Sequence, residues 1–187
     1  YKKNFIGLRG QHVTNTLHLV ELTFMVQPND AANIAATTSG CVTNDGGGQH
    51  PRGRLMCRDM PEFLCHVTNL QDAVKMIASN RAIKPCHGTH GTGIYTVGCR
   101  SMQVPDLVEV YNRLQGTAKG GAVFIMKAHG VLIRAPAGSH KSTKDEAVGP
   151  GGIGFIERSD ESSHEYVANH GSVEYMFLLV HVPDLLE

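Results

Sequence analysis

Three residues far apart in the chain, His66, Tyr95 and Glu174, have the right types to act together on a bond between a sugar and a flat base. His66 lies in Phe63-Leu64-Cys65-His66-Val67, a short apolar run. A neutral imidazole carries one donor and one acceptor, enough to hold a sugar hydroxyl in a fixed orientation. Tyr95 follows Gly91-Thr92-Gly93-Ile94, where the glycines allow a tight turn and a close approach of backbone to ligand. Its ring can lie on a heteroaromatic group, a contact worth on the order of 1 kcal/mol beyond area burial. Glu174 opens the apolar run from Tyr175 to Val182. A carboxylate beside a sugar stabilises positive charge that grows as the bond to a cationic base breaks, so it favours the transition state over the ground state. Carboxylates perform related service in glycoside hydrolysis.

Each residue also has a structural alternative. A single histidine is more often a buried one satisfied by backbone, and the chain has eleven of them. A tyrosine after a glycine turn is often core, and a glutamate at a strand end is often just solvated. Glu165-Tyr166 repeats the Glu-Tyr dipeptide, but Ala168-Asn169-His170-Gly171 follows it in place of a strand, so Glu174 is preferred.

The elements that must position these residues can be read from pattern. Thr16 to Val26 is rich in β-branched and apolar residues and stops just before Pro28, which predicts a strand. Ala31 to Ala36 reads as a short helix, and Cys41 to Arg54, with its glycines and Pro51, as a loop. Phe63 to Val67 reads as the strand carrying His66. Asn69 can cap a helix to Asn80, with Leu70, Val74 and Ile77 on one face. Ile94 to Val97 reads as a brief strand. Val104 to Leu114 reads as a second helix, with Pro105 tolerated in its first turn and Leu107, Val110 and Leu114 as its inner stripe. Two strand pieces flank His129-Gly130, Ala135 to Gly154 reads as a long loop, and Tyr175 to Val182 is the most strand-like stretch. Short strands with few helices predict an α+β fold with a mixed or antiparallel sheet. Residues 1–60 read as an N-terminal extension and residues 61–187 as the main domain.

Composition narrows the function classes. With 17 basic and 17 acidic residues the net charge is zero, so overall charge gives no argument for nucleic acid or an acidic membrane as partner. No apolar run approaches the roughly 20 residues needed to span a bilayer. Five cysteines without CxxC spacing argue against a disulfide framework and favour a reducing compartment. Only Cys86-His87 with His90 approaches the close ligand pairs of structural zinc, and no metal is expected. The first residue is Tyr1, and part of a larger polypeptide is expected.

Taken in order, Cys65-His66-Val67-Thr68, Gly91-Thr92-Gly93-Ile94-Tyr95 and Ser172-Val173-Glu174-Tyr175 resemble the ADP-ribosyltransferase superfamily. The branch is the one with a His-Tyr-Glu triad, as in poly(ADP-ribose) polymerase catalytic domains and diphtheria toxin. The resemblance covers about Pro61 to Val182, and the Gly-x-Gly-Ile-Tyr turn matches without a mismatch. It implies split mixed or antiparallel sheets with short flanking helices, and NAD as co-substrate. His66 would hold the adenosine-side ribose, Tyr95 would stack on nicotinamide, and Glu174 would bind the nicotinamide ribose and drive departure of nicotinamide. Val67, Thr68, Gly93 and Ser101 would complete the cofactor-binding set. Val67 stands where the family has glycine, and its main chain would meet the carboxamide. Leu107 stands where the polymerases carry a second aromatic. The literal His87-Gly88-Thr89 string lies too close to Tyr95 to leave room for the intervening helix, so it is read as a coincidence or an NAD-proximal loop.

The implied activity is transfer of a single ADP-ribose unit to a protein or nucleic-acid acceptor, with release of nicotinamide, inside cells and with no membrane partner. An NAD glycohydrolase and an inactive interaction module on the same fold are the competing readings.

Overall fold

A computed structural model describes residues 10–23, 61–115, 121–129, 131–134, 146–149, 151–156 and 165–182. The predicted helix at 31–36 and loop at 41–54 fall outside the described residues. In chain order the elements are β1 (Gly10–His12), β2 (Leu17–Glu21), β3 (Phe63–Asn69), α1 (Leu70–Ala78), β4 (Cys86–Gly88) and β5 (Gly91–Cys99). There follow α2 (Val104–Gln115), β6 (Gly121–Ala128), β7 (Val131–Arg134), β8 (Gly152–Ile156), β9 (Glu165–Ala168), a single 3-10 turn at His170–Ser172, and β10 (Val173–His181).

Nine strands form one path in the order β1-β2-β10-β6-β3-β5-β9-β8-β7, and β4 pairs with β5 beside it. Every pairing is antiparallel except β7 with β8. The mixed, mostly antiparallel α+β character expected from the sequence is therefore present. β2 pairs with β10, so residues 10–23 complete the same sheet as the later chain.

The middle strand β6 is buried from Gly121 through Met126, because both of its faces are covered. One face packs Leu64, Phe124, Met126 and Tyr175 with α1 beside them. The other packs Cys65, Val123, Ile125 and Leu179 against Leu107, Val110 and Leu114 of α2, the inner stripe that the sequence predicted, with Tyr111 in addition. The α1 stripe needs correcting. Ala73 is the buried contact, with Met76 and Ile77 beside it, while Leu70 and Val74 stay exposed at 40% and 54%. A small Ala73 lets the helix approach the sheet closely, and that fixes its rotation. Asn69 caps α1, its Oδ1 accepting from the Asp72 N–H at 2.8 Å. Asn80 then ends the turn at φ 49°, a left-handed conformation that asparagine tolerates.

Two further expectations are corrected. Glu165-Tyr166 does lie on a strand, β9, and the stretch read as a loop to Gly154 contains the start of β8. Both strands are too short for their alternation to stand out in sequence, and each is held by pairing with its neighbours.

Candidate active site

The centre of the sheet opens along one seam. β3 pairs with β5 only from Phe63↔Cys99 to Cys65↔Val97, whereas β3 continues to pair with β6 as far as Asn69. β5 meanwhile turns to β9 over residues 94–97 and to β4 over residues 91–93. Past Cys65 and Val97 the two central strands part, and His66, Val67 and Thr68 lose β5 as a partner.

His66 stands at the point where they part. Its Nδ1 lies 2.8 Å from the main-chain oxygen of Tyr95. A carbonyl only accepts, so Nδ1 carries the proton and donates it, which leaves Nε2 as the acceptor of the neutral ring. Burial pulls the His66 pKa below the ordinary histidine value, and the bond to Tyr95 opposes this in part. His66 alternates with Cys65 and Val67, so it leaves β3 on the Leu64 side of the sheet.

Tyr95 leaves the sheet on the other side and folds back onto its own hairpin. Its hydroxyl donates to Gly91 O at 2.8 Å and accepts from the His90 N–H at 3.2 Å. Its ring packs near Val167, Ile156, Ala147 and Val148. Burial raises the phenol pKa, Cys86 and Glu165 add to the rise, and the His90 N–H opposes it.

The structure brings the His66 ring to the main chain of Tyr95, leaves the two side chains on opposite sides of the sheet, and sets Glu174 apart. β10 is three strands from β5, so Glu174 lies about 14 Å from the Tyr95 strand before displacement along the strands is counted. Glu174 sits opposite Lys127, and its Oε2 is 2.7 Å from His129 Nε2. Glu165 is the carboxylate beside Tyr95. β9 pairs directly with β5 in the register Tyr95↔Val167 and Val97↔Glu165, which puts Glu165 on the same face, with Cα atoms about 8 Å apart. Sequence reasoning passed over Glu165, although its Glu-Tyr dipeptide was the available signal.

The remaining residues divide between the seam and the scaffold. Val67 packs its side chain into the α2 cluster, so a Cβ at this position is accommodated in the core. Thr68, half-buried, lies opposite Ala122 on the parted stretch of β3. Gly93 lets β9 come close, since a Cβ there would stand 2.5 Å from Val167 Cγ2. Ser101 lies beyond the far end of β5, donating to Asp106 and accepting from the Gln103 N–H at 3.1 Å ahead of α2. Leu107 is 1% exposed, in the core cluster that also holds Cys65 and Val97. Cys65 and Cys99 are buried free thiols where the seam closes.

No protein-family model and no curated protein sequence matches this chain. Among the described residues, no three His, Cys, Asp or Glu side chains are grouped to hold a metal ion, and no helix is long and apolar enough to cross a membrane.

Proposed function

We propose that the chain transfers one ADP-ribose unit from NAD to a macromolecular acceptor and releases nicotinamide, with the β3–β5 seam as its site. The observation that carries this reading is the His66 Nδ1–Tyr95 O bond at the point where the two strands part, with Glu165 on the strand beyond Tyr95. A sheet opened between central strands is what an ADP-ribosyltransferase-like fold requires, and it supports that resemblance. His66 and Tyr95 leave the sheet on opposite sides, so a long ligand touching both must pass through the seam.

The chemistry each residue can do fits a dinucleotide. With Nδ1–H given to Tyr95, His66 Nε2 accepts from a ribose hydroxyl. In this reading the main chain of Val67, past the last β3–β5 pair, would meet the carboxamide while its side chain stays in the core. Tyr95 offers a ring for stacking on nicotinamide, and its hydroxyl is already committed to its own hairpin. In this proposal Glu165 takes the role that the resemblance gave to Glu174. The bond between ribose C1′ and the nicotinamide nitrogen breaks with its electron pair leaving on nicotinamide, and the carboxylate stabilises the positive charge growing on the ribose. An acceptor nucleophile then bonds to C1′ and gives up its proton.

Intact-mass measurement after incubation with NAD tests this reading. The expected result is addition of one ADP-ribose, reduced about a hundred-fold or more in rate by Glu165→Gln and retained in Glu174→Gln. Absence of any adduct together with no nicotinamide release would end the proposal, while nicotinamide release without an adduct would turn it to hydrolysis.

A further inference from the structure

The β4–β5 hairpin contains an empty position that is filled by the ring it carries. A Cβ built on Gly88 would overlap Cζ, Oη and Cε2 of Tyr95, so the phenol end of the ring occupies the space of a Gly88 side chain. Gly88 pairs with Gly91, whose carbonyl receives the Tyr95 hydroxyl, and the N–H of His90 between them donates to the same oxygen. From the other direction Val167, Ile156, Ala147 and Val148 pack near the ring, and the Ala147 N–H donates to Thr92 O at 2.9 Å to hold that segment on the hairpin. The ring is therefore fixed at its hydroxyl by two hydrogen bonds, at its phenol end by bare backbone, and along its body by apolar contacts.

We propose that Gly88 is a positioning residue for Tyr95: its missing side chain sets where the ring lies and hence where a flat base stacks in the seam. The inference rests on the NAD reading of that seam. Any larger residue at position 88 forces a choice. Either the ring swings out of its seat, or the hairpin lifts from it and both hydroxyl bonds break. A stacking platform works only if it is already in place when the ligand arrives, because a ring that must be ordered on binding loses part of the contact energy to that ordering. His87-Gly88-Thr89 thus lies in the neighbourhood of Tyr95, and its glycine has a local steric reason that does not depend on the motif it resembles.

A double-mutant cycle on NAD affinity, measured by calorimetry, separates positioning from general damage. Gly88→Ala is expected to weaken NAD binding about five- to ten-fold in the wild-type background and to have no further effect in a Tyr95→Ala background. Tyr95→Phe, which keeps the ring and the seat, is expected to stay within about three-fold of wild type. Equal losses from Gly88→Ala in both backgrounds, or no loss in either, would overturn the proposal. If Gly88→Ala fails to fold, adding Tyr95→Ala removes the clash and must restore folding; a double variant that stays unfolded refutes the steric account. If the wild-type chain does not bind NAD, the functional reading fails by itself. The seat is then judged from the ring-current shifts that Tyr95 imposes on the amide protons of positions 88 and 90. Loss of these shifts in Gly88→Ala supports the seat, and unchanged shifts reject it.

Discussion

His66 does two things with one ring, and the two respond to pH in the same direction. Burial lowers its pKa in the folded state, so the unfolded chain binds the proton more readily. The stability contributed by neutral His66 is present above the ordinary histidine value, about 6.5, and is lost as pH falls through the lowered folded value. His170, also lowered by burial and with its Nδ1 buried without a hydrogen-bond partner among the described residues, contributes with the same sign. Denaturation midpoints followed from about pH 7 to about pH 5 are expected to fall on acidification, with a shallower slope in His66→Gln. Equal slopes in the two proteins would mean that His66 is not among the groups responsible. Protonation also removes the Nε2 lone pair, so NAD affinity is expected to fall over the same range. At this scale the sequence proposed the candidate residues but not their spatial arrangement. Residue type and the glycine turn singled out His66 and Tyr95, and of the two Glu-Tyr dipeptides nine positions apart the sequence favoured Glu174 because an apolar run follows it. The pairing of β9 with β5 puts the other, Glu165, beside Tyr95.

Elements are held to one another at a few points where a single atom decides the contact. β9 lies close to β5 because Gly93 has no side chain, and a Cβ there would stand 2.5 Å from Val167 Cγ2 and 3.2 Å from Ala168 O. Gly93→Ala is expected to cost about 1–3 kcal/mol, read from urea unfolding, and to reduce activity beyond the loss of folded protein, since it moves Glu165 relative to Tyr95. A second point ties the segment after α1 to the sheet. The Tyr175 hydroxyl accepts from the buried Ile83 N–H at 2.8 Å, and burial pushes the Tyr175 pKa up to about 12. Tyr175→Phe leaves that N–H unpaired and is expected to cost about 1–3 kcal/mol, read from urea unfolding. The α2 stripe was legible because Leu107, Val110 and Leu114 repeat along one side of it. The α1 stripe was misread because Ala73, the residue that makes the close contact, is the least conspicuous apolar residue on that helix.

For the molecule as a whole, the proposed function would hold a ligand between two halves of one sheet. On one side lie β3 and β6, joined to β10 and β2; on the other lie β5, β9, β8 and β7. The halves meet through the three residue pairs from Phe63↔Cys99 to Cys65↔Val97. A dinucleotide contacting both halves stabilises the folded chain by mass action. At about 100 times its dissociation constant the gain is about 2.7 kcal/mol, visible as a rise in melting temperature. No rise at millimolar NAD would count against binding at the seam and favour the inactive interaction module.

The sequence by itself determined both described helices and several of the strands, the α+β character with a mixed or antiparallel sheet, and the order in which a histidine, a tyrosine and Glu-Tyr dipeptides occur along the chain. These follow from local causes: alternation, helical spacing, capping and the conformational freedom of glycine. Tertiary structure alone decided which strands became neighbours. It brought Glu165 beside Tyr95, left Glu174 with His129 across the sheet, and opened the seam at His66. Strand pairing joins residues remote in the chain through backbone hydrogen bonds that every residue type except proline can make, so side-chain pattern carries little record of the choice.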